Sequence, residues 1–367
     1  MKRTELIELT RRLVEIPSHE SEERAGDFIQ DWLEKETDAD VVRDDEGNVF
    51  ASRDGIPSEG ADLCLVGHHD VVPPDEGQVD DGGYVVSVEG GRVYGRGSAD
   101  MKSALAAAMF AFRNTEAVNL GFVSFVDEEV GGEGCRYAID NGFSPGKAVV
   151  LEGSTGYRRD GLVDVCVAHK GRRGVEVDCV GEACHASMPE DGVNAVYRAV
   201  DAVQEMRALE TPVAEIYGRE LEVTVEVTGI EGGEAINTVP GECSFRIDER
   251  TVPGKRVDYS TISEMVGVEV RETMNLPPMV CDDGDFAESA LCAAAEVQNR
   301  SGEGRNRTPE PIVKPHASDA GWLSASGVEP VVIGPAEPGE AHTADESISL
   351  AAVETCYEIY RKIADGV

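Results

Sequence analysis

LCLVGHHDVVP, residues 63–73, is the stretch from which the fold of this chain can be read. Leu63 to Val66 reads as a short apolar strand, and it ends in the polar cluster Gly67, His68, His69 and Asp70. Working outward, the same texture recurs through the first part of the chain. Leu6–Ile16 and Glu22–Glu36 read as amphipathic helices, and Val41–Ala51 as a hairpin turning through Asp45, Glu46, Gly47 and Asn48. Lys102–Arg113 reads as a buried helix, followed by strands over Gly121–Val126 and Ala148–Leu151. Strands alternating with helices predict an α/β domain with a central, mostly parallel sheet flanked by helices. Ligands of such sheets gather at the carboxyl ends of strands, which is where polar residues keep appearing here.

The texture changes near Gly171. A strand over Gly174–Val180, a helix over Asn194–Arg207 and alternating strands over Glu220–Ile230 and Glu242–Arg250 come first. A helix over Val257–Val266 and a strand over Val268–Glu272 complete this part. Two helices on one face of a small antiparallel sheet is the economical arrangement, an α+β insert. After Asp285 the α/β pattern resumes with a helix (Phe286–Gln298), a strand (Val331–Ile333) and a terminal helix (Leu350–Ala364). The expected division is a discontinuous domain of residues 1–169 and 283–367, with residues 170–282 inserted.

Composition narrows the function. The 367 residues carry 71 acidic and 33 basic side chains, a net charge of −38, and only eight of the basic residues are lysines. Such a field repels phosphates, so nucleic acid is excluded as a partner. The acidic residues are dispersed rather than gathered in a tail, which argues against disorder and suggests adaptation to a salt-rich cytoplasm, where ions screen self-repulsion. The longest apolar run, Ala104–Phe112, falls far short of the roughly 20 residues a membrane helix needs, so no membrane partner is expected. No secretory segment is read at the N-terminus. Nine cysteines scattered singly fit reduced thiols and a cytoplasmic location.

Several residues carry possible chemistry. His68 and Asp70, two apart in an extended segment, project to the same side and suit a metal-binding imidazole with a carboxylate that orients it. Asp100 closes GRGSAD (95–100), where a short carboxylate can bridge two cations. Glu128 and Glu129 follow a strand in DEEVGG (127–132) and can point different ways, one to a metal and one free to act as a base. Glu152 ends another strand, and His342 lies in EAHTADE (340–346). Taken singly, each has an ordinary reading as a solvated or hydrogen-bonded surface residue. As a set, two histidines and three carboxylates at the mouth of one sheet are a nitrogen/oxygen donor set that zinc or cobalt accepts. Cys184 beside His185 offers a Cys/His nucleophile as a rival reading.

Six segments, in order along nearly the whole chain, resemble the M20 family of co-catalytic zinc aminoacylases and exopeptidases. They are GHHDVVP (67–73), GRGSADMK (95–102), DEEVGGEG (127–134), GEACHASMPEDGVNA (181–195), NTVPGECSFRIDER (237–250) and AHTADE (341–346). The branch they most resemble is that of acetylornithine deacetylase and succinyl-diaminopimelate desuccinylase. The resemblance implies two divalent ions, zinc first, with cobalt or manganese also suited. His68, Asp100 and Glu152 would hold one and Asp100, Glu129 and His342 the other. It implies Asp70 orienting His68, Glu128 as general base and acid, and a cis peptide after Asp100. It further implies that the insert is a lid and dimerisation domain. There His185 would polarise the scissile carbonyl of a partner subunit's substrate, and Asn237 and Arg250 would hold the substrate carboxylate. The implied reaction is removal of an acetyl or succinyl group from a small N-acylated amino acid, with a dipeptidase or carboxypeptidase as the alternative. The chain departs from the pattern at His69, where relatives carry a small residue, and in KPHASDA (314–320), which keeps only Ser318-Asp319 of a substrate-binding stretch. His316 there could contact substrate or be a plain loop residue. Arg172-Arg173-Gly174 could likewise contact substrate or form a hinge salt bridge.

Overall fold

In the computed structural model, Leu63 and Leu65 enter one apolar cluster while Cys64 and Val66 enter another. Successive side chains of a strand point to opposite faces, so this strand lies at the centre of a sheet covered on both sides. The structure describes residues 2–53, 61–80, 82–117, 119–300 and 308–366. Two compact units are present: residues 1–168, 279–314 and 318–367, and residues 169–278 with 315–317. The crossings fall at 168/169 and 278/279, and the excursion over Pro315–Ala317 has no counterpart in the expected division.

The first unit is built on a nine-stranded sheet. In spatial order its strands are Asp40–Arg43, Val49–Ser52, Leu120–Phe125, Leu63–His68, Lys147–Val150, Glu329–Val332, Val165–His169 and Met279–Val280, with Pro311–Lys314 beside Val165–His169. The four from Leu120–Phe125 to Glu329–Val332 are mutually parallel, and the pairs flanking them are antiparallel. The α/β reading is borne out, with the parallel character confined to the middle of a mixed sheet. One face carries Lys2–Val14, Ser103–Arg113, Gly284–Arg300 and Leu350–Ala364; Glu133–Asp140 and Asp319–Ala325 pack together with the other cluster. Ser103–Arg113 is buried along nearly its whole length, as an alanine-rich helix wedged between neighbours must be. The expected hairpin forms between Asp40–Arg43 and Val49–Ser52, and the Asp44 carboxylate accepts from the backbone N–H groups of Glu46, Gly47 and Asn48 to hold its turn.

The second unit is a four-stranded antiparallel sheet in the order Thr224–Gly232, Glu242–Arg250, Arg172–Val180, Val268–Leu276. Val175, Val177 and Cys179 alternate inward against Ala195, Ala199, Ala202 and Met206 of the helix Ala195–Arg207. Asn194 caps that helix, its side-chain oxygen accepting from Val196 and Tyr197. The second helix expected over Val257–Val266 shrinks to Ser260–Ser263. Lys255 pairs back to Val252, and Gly267 turns with φ +74° into a strand that extends to Leu276. All nine cysteines are free. Among the described residues no helix is long and apolar enough to cross a membrane.

Candidate metal centre

The strand Leu63–His68 ends by delivering His68 and His69 to opposite sides. His69 turns inward: it is fully buried, its Nδ1 lies 2.8 Å from Ser124 Oγ, and burial pushes its pKa down to about 3. His68 faces the carboxylates instead. Its Nδ1 lies 3.1 Å from both the carbonyl oxygen and Oδ1 of Asp70. Its Nε2 lies 3.2 Å from Asp100 Oδ1 and 3.6 Å from Glu152 Oε1. Asp70 Oδ2 also accepts the Glu129 backbone N–H at 2.9 Å. One buried carboxylate thus fixes both the first histidine and the loop after the next strand.

Asp100 stands in an irregular turn, Ser98–Lys102, and its peptide bond to Met101 is cis. Its two oxygens look in different directions. Oδ1 faces His68, and Oδ2 lies 3.3 Å from His342 Nε2, which is 2.9 Å from Glu129 Oε1. Two donor groups result, His68–Asp100–Glu152 and Asp100–Glu129–His342, each with its ligand atoms within 4.8 Å of one another. These are the five residues that the sequence reading grouped.

The electrostatics fit a cation site. Three carboxylates crowd two imidazoles and raise the pKa of both. His342 is pushed up to about 10 by hydrogen bonds to Asp100 and Glu129. His68 is also raised: burial opposes its charge, but Asp70, Asp100 and Glu152 outweigh it. Glu128 is raised well above the carboxylate range by burial first, and further by Glu152, Asp319 and Glu129, with His68 opposing. Among the described residues the Glu128 carboxylate has no hydrogen-bond partner, whereas Glu129 is engaged by His342.

Two supporting groups carry no role in the sequence reading. Glu346, buried at the end of AHTADE, accepts from the backbone N–H groups of Gly97, Ala99 and Asp100 and from Arg96 Nη1 at 2.6 Å. It shapes the turn that presents Asp100. Asp319, the aspartate of KPHASDA, is buried with neither carboxylate oxygen hydrogen-bonded among the described residues, and burial pushes it up to about 8. It packs under the turn after Glu129. A Cβ on Gly132, whose φ is +73°, would stand 2.6 Å from Asp319 Oδ1, so only glycine serves there. The acidic residue in a motif was visible in both cases, but not the backbone that Glu346 would reach nor the burial of Asp319.

His185, Asn237 and Arg250 lie in the second unit and are not among these donors. His185 pairs with Thr238 on a two-residue ladder, next to Asn237, whose carbonyl accepts from Ala186 at 2.9 Å. Both are exposed. Arg250 ends the strand Glu242–Arg250, roughly 26 Å along it from Glu242 at ~3.3 Å per residue, and is held by Asp248 at 2.7 Å. Cys184 Sγ lies 3.3 Å from the Met188 carbonyl and His185 Nδ1 2.7 Å from Ser187 Oγ, so they do not form a thiol–imidazole pair. Arg173 is tied to Glu249 and Glu272, and Arg172 to Asp248. His316 is exposed in the short excursion 315–317 of this unit.

Comparison with known proteins places this geometry. The model of peptidase family M20/M25/M40 matches residues 64–366. An acetylornithine deacetylase of Myxococcus xanthus is 30% identical over 317 residues, covering 84% of this chain and 81% of that protein. A probable carboxypeptidase of Aspergillus terreus is 28% identical over 97% of this chain and 85% of its own. In fold, the aminopeptidase PepT of Bacillus cereus superposes with a TM-score of 0.78 at 21% identity, covering 99% of this chain and 98% of its own.

Proposed function

The chain belongs to peptidase family M20/M25/M40, and from that premise we propose that it is a two-metal amidohydrolase that removes an acetyl or succinyl group from a small amino-acid derivative. The observation that carries the reading is Asp100, whose two oxygens each face a different histidine. His68, Asp100 and Glu152 would hold one divalent cation and Asp100, Glu129 and His342 the other. The donor set suits zinc, with cobalt and manganese close behind. When bound, such ions lower the pKa of water and polarise the amide carbonyl. Glu128 accepts the proton of the attacking water at its carboxylate and returns it to the leaving nitrogen. Asp70 holds the His68 ring in place from behind.

The second unit is proposed as lid and dimerisation domain, with Asn237 and Arg250 holding the substrate carboxylate. His185 suits an oxyanion donor. Its Nδ1 accepts the Ser187 backbone N–H, at 3.2 Å, so the neutral ring carries its proton on Nε2. The likeness to the Myxococcus xanthus deacetylase supports the deacylase reading, and that to the Aspergillus terreus carboxypeptidase favours peptide cleavage as the second one. Nine free cysteines support a reducing, cytoplasmic setting. A net charge of −38 supports a salt-rich one; thermal melts should rise from low to molar salt, and equal stability in both removes that part of the proposal.

The test is amine release in molar salt with added zinc or cobalt, across N-acetylornithine, N-succinyl-diaminopimelate, N-acetylmethionine and dipeptides. Chelator-sensitive turnover of one acylated amino acid is the expected result. A preference for dipeptides moves the chain to the peptidase reading with the same metal site.

A further inference from the structure

The helices Lys2–Val14, Glu23–Glu36 and Ser103–Arg113 leave a crevice of about 410 Å³ between them, lined among others by Glu5, Leu9, Arg12, Trp32, Glu36, Phe110 and Arg113. That volume falls within the range of small-molecule sites, roughly 300–1,000 Å³. The helix Ser103–Arg113 starts just after the turn that presents Asp100, and the crevice takes residues from its other end. At ~1.5 Å per residue this puts the crevice roughly 15 Å along the helix from the donor cluster.

The floor is apolar: Leu9 and Phe110 are 4% and 1% exposed, with the half-buried Trp32 beside them. The two ends carry opposite charge. At one end the Arg113 guanidinium, 4.2 Å from the Phe110 ring centroid, is shared by two carboxylates, Glu5 at 2.9 Å and Glu36 at 3.3 Å. One cation between two anions leaves a net negative charge. Glu36 and Arg113 also close their helices, where the backbone dipoles add partial negative charge. Lys35 offsets little of this, reaching Glu36 only at 3.7 Å with a side chain 81% exposed. At the other end Arg12 is held over the Phe28 ring at 4.8 Å, and among the described residues no carboxylate lies within 4.0 Å of its guanidinium. Glu8, between the two ends, is occupied by Arg11, which donates to both its oxygens at 3.0 and 2.8 Å.

Glu5 and Arg12 stand seven residues apart on one face of a helix, about 10 Å along its axis. Two charge-assisted hydrogen bonds of about 2.8 Å, together with the short separation of ammonium from carboxylate in an α-amino acid, span that gap. We propose that this crevice binds a free α-amino acid as its zwitterion. The ammonium lies against Glu5 and Glu36, the carboxylate on Arg12, and an apolar side chain on Leu9, Trp32 and Phe110. The site is separate from the metal centre, and the proposal stands whatever reaction that centre performs.

The test follows Trp32, one of only two tryptophans in the chain. In Trp322→Phe its emission reports the crevice alone, and calorimetry on the unsubstituted protein gives the same Kd should that variant fold poorly. The probes are L-leucine, isoamylamine, which lacks the carboxylate, and isocaproate, which lacks the ammonium. Titrations use metal-loaded and chelator-treated protein in molar salt, where charges are screened beyond ~3 Å and only direct contacts persist. Leucine should shift the Trp32 emission and bind roughly 10- to 100-fold more tightly than either analogue. Arg12→Gln should weaken leucine to the level of isoamylamine, while isoamylamine itself changes by less than about twofold. Equal binding of the three probes, or an Arg12→Gln loss shared by leucine and isoamylamine, overturns the proposal. Leucine binding seen only with metal belongs to the donor cluster and overturns it too, as does no binding at all.

Discussion

The two halves of the donor cluster share Asp100 but are built by different means. His68 is 1% exposed, stands at the end of a central parallel strand, and is backed by a carboxylate that is itself buried. His342 is 48% exposed, in a loop where its own φ is +59°, and is positioned by contacts from distant segments. Gln78 Nε2 donates to the Thr343 and Ala344 carbonyls, and Arg92 and Arg96 pair with Glu340 and Glu346 on either side of it. The first half is as rigid as the sheet; the second is as rigid as its tethers. On the proposed two-metal reading, the cation held by the second half should be the more readily lost.

The largest expected effect lies where neither half is touched. Glu128→Gln keeps the size of the side chain and removes the proton acceptor, so kcat should fall by roughly 10²- to 10⁴-fold. Metal analysis should still find two ions per chain. Near-normal turnover would assign the base elsewhere, and loss of a metal would mean that Glu128 belongs to one of the halves.

Next in size is a pair of substitutions that sets the halves against each other. His68→Ala leaves the buried Asp70 carboxylate without its imidazole, and removing one member of a buried charged pair costs about 3–5 kcal/mol. The metal-free protein should melt markedly lower, and the loaded one should lose the ion of that half. His342→Ala removes a half-exposed side chain, though one that balances Asp100 and Glu129, so the metal-free melt should fall by less than in His68→Ala while metal content falls to one ion per chain. Equal melting losses in the two variants would erase the distinction drawn between the halves.

The same distinction governs what could be read in the sequence. His68 and Asp70 are legible because a strand has period two, and the alternation that places them together also turns His69 into the core against Ser124. The α/β layering follows from short apolar strands alternating with helices for the same local reason. The role of Glu346 was not legible, because it depends on a loop that returns about 250 residues later to meet the turn at 97–100. The helix expected over 257–266 gave way to a single turn, Ser260–Ser263, where the Asp258 carboxylate accepts the Ser260 N–H and starts it late. Of the antiparallel margins of the main sheet only the hairpin Asp40–Arg43/Val49–Ser52 was legible, since the direction of strands not joined by a tight turn is decided by the path of the intervening chain.

The smallest expected effect is the sharpest probe of the tethers. Gln78 is 7% exposed and touches no donor residue; its amide reaches the His342 loop through two carbonyls, at 3.1 and 3.0 Å. Its side-chain oxygen accepts the Asp75 N–H at 2.7 Å, so the residue joins two loops rather than belonging to the sheet. Gln78→Ala removes these bonds, each worth about 1 kcal/mol, from a loop that has other anchors. Retention of the second metal, followed by competition with a chelator, should weaken about fivefold, while retention of the first stays unchanged. A loss shared equally by both metals would show that the tethers act on Asp100, the ligand common to the two halves. No loss at all would show that the ion pairs of Glu340 and Glu346 suffice to hold the loop.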